Sequence, residues 1–133
     1  MEEIKKLEVR RLFSLSKECL ETVKLLIQHK KFRDAVSKAY YSMFYAACAL
    51  LRTEKLDTSK HSGVIALLNQ HFFKTKKVNP MFYEKYVKAF EDRLSADYNA
   101  LTEIAQEEAL QKIEDASSFN LEVERYLKKR DWI

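Results

Sequence analysis

A single glycine and a single proline among 133 residues leave almost nothing from which to build tight β-turns, so a sheet of short hairpins is excluded. The same scarcity excludes a glycine-rich phosphate loop, which needs several residues without a Cβ so that backbone N–H groups can close around the anion. No apolar run approaches the roughly 18 residues of a membrane span, and the opening "MEEIKKLEVRR" is too charged to hold a signal-peptide core. A cytoplasmic protein without a membrane segment is expected. There are two cysteines, Cys19 and Cys48, in consecutive helices that should run antiparallel about a turn near residues 29–31. That geometry sets Cys19 level with about residue 42, roughly 9 Å along the axis from Cys48 and too far for a disulfide. Two buried free thiols are the expectation. Metal chemistry lacks its patterns as well: there is no His-x-x-x-His, no Cys-x-x-Cys and no Glu-x-x-His, so neither a metal nor a cofactor is expected. No serine or cysteine has a histidine at a spacing that would mark a nucleophile.

What fills the chain instead is 47% hydrophobic and 33% charged residues, rich in the helix formers Ala, Leu, Glu and Lys. The length suits one domain over residues 1–133 with a single core. Helix one is expected over about 2–28, with Leu12, Leu15, Ser16, Cys19, Val23, Leu26 and Ile27 as its buried stripe. Helix two, about 31–53, has a stripe from Phe32 to Leu51, and its other side, Tyr41, Tyr45 and Cys48, is hardly polar. A helix apolar nearly all round is either the central helix or a subunit interface, and Tyr41, Tyr45 and Cys48 are the residues expected at a homodimer contact. Helix three runs over about 60–72, with Val64, Ile65, Leu68 and Phe72 inward and His61 on the same stripe. Asn79 and Pro80 read as cap and first position of helix four, which extends to about 98; helix five covers about 105–129, with Ala109, Ile113, Ala116, Val123 and Leu127 inward. The fold class is all-α: a single up-and-down antiparallel helical bundle of about five helices.

Polar chemistry concentrates in "AFEDRLSADYNA", residues 89–100. At 100° per residue, Tyr83, Val87, Phe90, Leu94, Tyr98 and Leu101 form one stripe, with Asp97 about 40° to its side and Arg93 at its edge. A cation four residues before an anion is the weaker orientation for helix stability. Two readings follow: a structural ion pair, or a polar site in which Arg93 binds phosphate and Asp97 orients it or a proton donor. His61 and Lys60 open helix three, where the positive dipole end suits an anion, and they join Arg93 as candidate ligand-binding residues beside the alternative of a packed, hydrogen-bonded histidine. Tyr40, Tyr41 and Tyr45 could stack bases, but aromatics at helical spacing beside Met43 and Phe44 are more often core or interface. The formal charge of +4 gathers in "HKKFR", "KTKK" and "KKR", which serve as solvated helix ends or as an electrostatic, weakly sequence-selective footprint for nucleic acid.

Four blocks, "SKAYYSMFYAACALL" at 37–51, "SKHSGVIALL" at 59–68, "AFEDRLSADY" at 89–98 and "EEALQKIEDASSFNLEVERYL" at 107–127, resemble in order and spacing the small prokaryotic HEPN-domain proteins. The resemblance implies an up-and-down bundle, homodimerisation and pairing with a small nucleotidyltransferase in a two-gene module, often toxin and antitoxin. Nucleotide or RNA phosphate is the ligand it implies. Ribonucleolytic members carry an Arg-x4-6-His motif in the dimer cleft, and some carry a polymerase-modified tyrosine just beyond it. This chain departs from both: Arg93 is followed by Asp97, Tyr98 and Ala100 at the corresponding places. The departure favours binding over catalysis. If a ribonuclease with an altered site exists here, Arg93, Asp97, Tyr98 and His61 are its candidate catalytic residues, and pure scaffolding is the third alternative.

Overall fold

A computed structural model describes residues 3–133, so the expected start of helix one at residue 2 lies outside the described residues. Five α-helices follow one another: α1 (Glu3–Gln28), α2 (Phe32–Thr53), α3 (His61–Leu68), α4 (Phe82–Tyr98) and α5 (Gln106–Lys129). A single π-helical turn, Asn69–Phe73, continues α3 without a break. The expected all-α bundle of five helices is the observed architecture. Among the described residues no helix is long and apolar enough to cross a membrane.

Helix α2 is the central element. It packs on α1, α4 and α5, with α3 against its remaining side, and this central place accounts for its apolar girth. Tyr40, Met43 and Leu50 are fully buried on it, each contributing about 1.5–3 kcal/mol of transfer free energy. Ala35, Ala39, Ala46, Ala47 and Ala49 alternate with them, and these short side chains let neighbouring helices approach closely. Where α1, α2 and α5 meet, two serines and Asn120 bond one another, with only Asn120 Oδ1 left without a partner among the described residues. Ser16 Oγ donates to the Ser42 carbonyl (2.6 Å) and Ser42 Oγ returns a bond to the Ser16 carbonyl (2.8 Å). Asn120 Nδ2 then donates to Ser42 Oγ at 2.8 Å. Both cysteines are free thiols; Cys19 is buried, and burial pushes the half-buried Cys48 up to about 12.

Helices α4 and α5 are joined by Phe82 and Tyr86 packed edge-on against Phe119 and by ion pairs between charged side chains. Asp92 accepts from Lys112 (2.9 Å) and Lys88 (3.0 Å), while Asp115 accepts from Lys85 (3.1 Å) and Gln111 (2.9 Å). Burial alone would raise the Asp92 carboxyl, but the hydrogen bonds from Lys112 and Lys88 outweigh it and hold the group below the usual carboxylate range.

Two expectations for α4 need correction. The helix begins at Phe82 rather than Pro80, because Asn79 and Pro80 form a turn ahead of it: Asn79 Oδ1 accepts the Met81 N–H at 3.0 Å, and the two carbonyls accept the N–H groups of Phe82 and Tyr83. More important, its buried face is Phe82, Tyr86, Ala89, Arg93 and Ala96, not the stripe from Tyr83 to Leu101. In that stripe Tyr98 is 77% and Leu101 92% exposed. The face is turned by roughly 100°, because a close crossing on α2 selects the small Ala89 and Ala96 over larger apolar residues.

A buried arginine on an aromatic cradle

The rotation of α4 reverses the roles foreseen for its ion pair. Arg93 is the buried member, 6% exposed, and Asp97 lies on the exposed rim. Ala89 and Ala96, one turn to either side, leave room for the guanidinium against α2. Its central carbon lies 5.2 Å from the Tyr40 ring centroid, 5.7 Å from Tyr41 and 5.5 Å from Phe90. Three ring faces thus replace water around the cation, each contributing about 0.5–2 kcal/mol. Its hydrogen bonding is sparse by comparison. Nη1 reaches Asp97 Oδ2 at 3.5 Å, the outer limit of a bond, and the buried Nε has no partner. A guanidinium has five N–H donors, so this one is held by its surroundings while most of its donor capacity stays uncommitted.

His61, the first residue of α3, closes the cradle from another helix. Its Nδ1 lies 2.7 Å from the Tyr40 hydroxyl, and its ring stacks on Phe44 at 4.5 Å between centroids. Burial first, and then the positive charge of Arg93, lower the His61 proton affinity, so the imidazole is neutral at neutral pH. Burial keeps the Tyr40 hydroxyl protonated, its pKa raised despite Tyr86 and Arg93. Tyr40 and His61 Nδ1 thus share one hydrogen bond between two neutral groups. Tyr86 stands beside Tyr40, ring centroids 5.9 Å apart, and its buried hydroxyl makes no well-formed hydrogen bond.

Of the residues singled out from sequence, Arg93, Asp97 and His61 come together around Tyr40. Tyr98 and Lys60 do not join them: Tyr98 points to solvent, and Lys60 is exposed at the boundary of α3, its backbone N–H on Thr58 Oγ1 at 3.3 Å. Tyr41 borders the site, edge-on to His61 at 6.0 Å. Tyr45 and Cys48 are half-buried under Leu56, Thr58 and Val64, around a cavity of about 90 Å³. Phe90 is the site residue that sequence reasoning assigned only to the core, and Tyr40, weighed there as a stacking platform or as core and interface, stands at the centre of the site. A second omission is Arg33, whose guanidinium donates to the carbonyls of Ala96 (2.6 Å), Asn99 (3.1 Å) and Thr102 and so anchors the end of α4 that carries Asp97. The available signal was a cation at the start of helix two, opposite the C-terminus of an antiparallel neighbour. Among the described residues, no three His, Cys, Asp or Glu side chains gather as a metal site requires.

A sequence model described as the HEPN domain matches residues 9–126 of this chain. The chain belongs to the HEPN family. Among curated relatives, this HEPN chain is 38% identical over 112 residues to "UPF0332 protein" of Thermotoga maritima, covering 84% of this chain and 85% of the relative. It is 35% identical over 122 residues to "Putative toxin MJ0142" of Methanocaldococcus jannaschii, covering 92% and 83% of the two chains. A second protein of that organism, "Putative toxin MJ0605", is 33% identical over 122 residues, covering 92% of this chain and 90% of its own.

Proposed function

We propose that this HEPN chain is the toxin-type member of a two-component cytoplasmic module, that a small nucleotidyltransferase is its partner, and that it binds a nucleotide or RNA phosphate at Arg93. The observation that carries this reading is the state of the guanidinium: buried on three rings, with Nε unpartnered and a single long contact to Asp97. A phosphate oxygen is an acceptor that such a fork takes in bidentate fashion, and the neutral His61 beside it offers one further N–H. Relatives that bear the word toxin in their names support the module.

Titration calorimetry with ATP tests the site. Arg93→Lys keeps the charge and loses the planar fork, so the expected result is a folded protein whose affinity drops about tenfold, on the order of 1.4 kcal/mol. Equal affinity in the folded Lys variant, or no nucleotide binding by the wild type, returns Arg93 and Asp97 to a structural ion pair.

The same reading includes a homodimer. Leu94 and Tyr98 on α4 and Leu101 just beyond it are exposed apolar residues near Arg93 in the chain, and a second copy of the chain is the proposed cover. Light scattering that found only the 15.8 kDa monomer across a concentration series would remove this element.

One observation favours a ribonuclease with an altered site as the second reading. His61 reaches the Arg93 cradle from α3, so an arginine and a neutral imidazole share one site although no histidine follows Arg93 along the chain. In that scheme Arg93 stabilises phosphorane charge and His61 moves the proton. Cleavage of end-labelled RNA in EDTA that disappears in His61→Ala would select it.

A further inference from the structure

Three basic segments far apart in sequence meet at one end of the bundle. Lys77 Nζ bonds Glu54 at 2.8 Å, which brings the loop after the π-helical turn against Lys55 at the end of α2. The same ammonium lies 5.8 Å over Phe72, Phe72 packs edge-on against Tyr126 at 5.6 Å, and Arg130 caps the Tyr126 ring at 3.9 Å. Lys55, Lys74, Lys76, Lys77 and Arg130 are all exposed there. Of the nearby acids, Glu54 is held by Lys77 and His71 and Glu122 by Arg125 and the Asn79 N–H, and the exposed Asp131 beside Arg130 is outnumbered by the five cations.

The backbone adds an independent sign. Lys55 and Lys76 sit at φ 59° and 61°, in the left-handed region beyond helix ends. A side chain with a Cβ costs about 1 kcal/mol there, and glycine is the residue that local physics prefers. Lysine at both places works against the backbone and presents two more cations on the same surface. Lys30 adopts the same conformation at the opposite end, φ 59°, but there Asp34 and Glu103 share the surface.

We infer that this basic end binds the phosphate backbone of a nucleic acid, as a surface separate from the Arg93 site. Lysines act as point charges suited to successive phosphates, whereas protein interfaces are depleted in lysine and built on exposed aromatic anchors. The rings here offer no such anchor, since Phe72 is 0% and Tyr126 7% exposed.

Fluorescence anisotropy with an oligouridylate of about 20 nucleotides, read across a salt series, tests the inference. Each lost phosphate contact on a single strand weakens binding about fivefold at 0.1 M salt, so Lys55→Gly with Lys76→Gly should weaken it about 25-fold. The same double variant should melt at a higher temperature, because both left-handed positions are relieved. Binding and stability then move in opposite directions, which a damaged fold does not produce. Lys74→Gln, which touches no such position, should cost about fivefold alone. Lys55→Gly with Lys76→Gly should leave ATP affinity at the Arg93 site unchanged, so failure here leaves the ATP result standing, and the reverse holds too. The inference is overturned if the double variant binds as tightly as wild type, if wild type does not bind at low salt, or if polyglutamate or phosphatidylserine vesicles bind as tightly as the oligonucleotide.

Discussion

Replacing Arg33 should cost more stability than any other surface-proximal substitution in this chain. Its guanidinium, at the second residue of α2, donates Nη1 to the Ala96 and Asn99 carbonyls at 2.6 and 3.1 Å and Nη2 to the Thr102 carbonyl. Ala96 belongs to the last turn of α4, where carbonyls have no intrahelical donor, and Asn99 and Thr102 belong to the loop that leads to α5. A cation there also meets the negative end of the α4 dipole. Hydrogen bonds to charged groups contribute about 1.5–3 kcal/mol each, but three bonds to one half-buried group share its desolvation, and the freed carbonyls regain water. The expected loss for Arg33→Ala is therefore about 2–4 kcal/mol, well short of the threefold sum. Urea unfolding measures it, and amide exchange should show faster opening around residues 96–102 than at the α1–α2 crossing. Arg33→Met keeps the apolar stem and removes every donor, so it isolates the hydrogen bonds. A Met variant within about 0.5 kcal/mol of wild type would refute the reasoning.

Ser42→Ala should cost about 1–3 kcal/mol in the same urea assay, because it strands Asn120 Nδ2 in the core and removes the extra bond to the Ser16 carbonyl; Ser42→Thr should be no better, since its methyl has no space. Acidification should destabilise the wild type below about pH 6.5, where the unfolded chain takes up a proton that burial and Arg93 deny His61 in the folded state. The loss ends once pH has passed below the depressed folded value, and His61→Gln should flatten it; an unchanged pH profile in that variant would assign the effect elsewhere.

How far the sequence discloses this fold depends on which helix is asked. α2 and α5 were legible because their buried positions recur over six or more turns, and a short error in phase is corrected by the next apolar residue. Helix one showed its middle, Ser16, Cys19 and Val23, but the core also takes Val9 and Phe13, where charged neighbours obscure the period. Asn79 and Pro80 were legible as a helix-start signal, yet that signal does not separate the first helical turn from a turn just before it.

The candidate site was legible as a set of residues and not as an arrangement, and α4 shows why. That helix carries two apolar faces: Phe82, Tyr86, Ala89 and Ala96 with Arg93 among them, and Tyr83, Val87, Phe90, Leu94 and Tyr98. Hydrophobicity ranks the second face higher, and it carries no charge, so periodicity selects it. Packing decides otherwise, because α2 can be approached closely only by the face that has alanines, and an arginine between two alanines reaches over the Tyr40 and Tyr41 rings. A buried guanidinium is tolerable there for the same reason: the rings compensate its desolvation without using its donors. The richer apolar face is then left over, beside the rim at which Asp97 meets Arg93. In this arrangement the face best suited to a partner and the side chain best suited to an anion sit on one helix, so a change in what covers Leu94 and Tyr98 acts directly on the surroundings of Arg93.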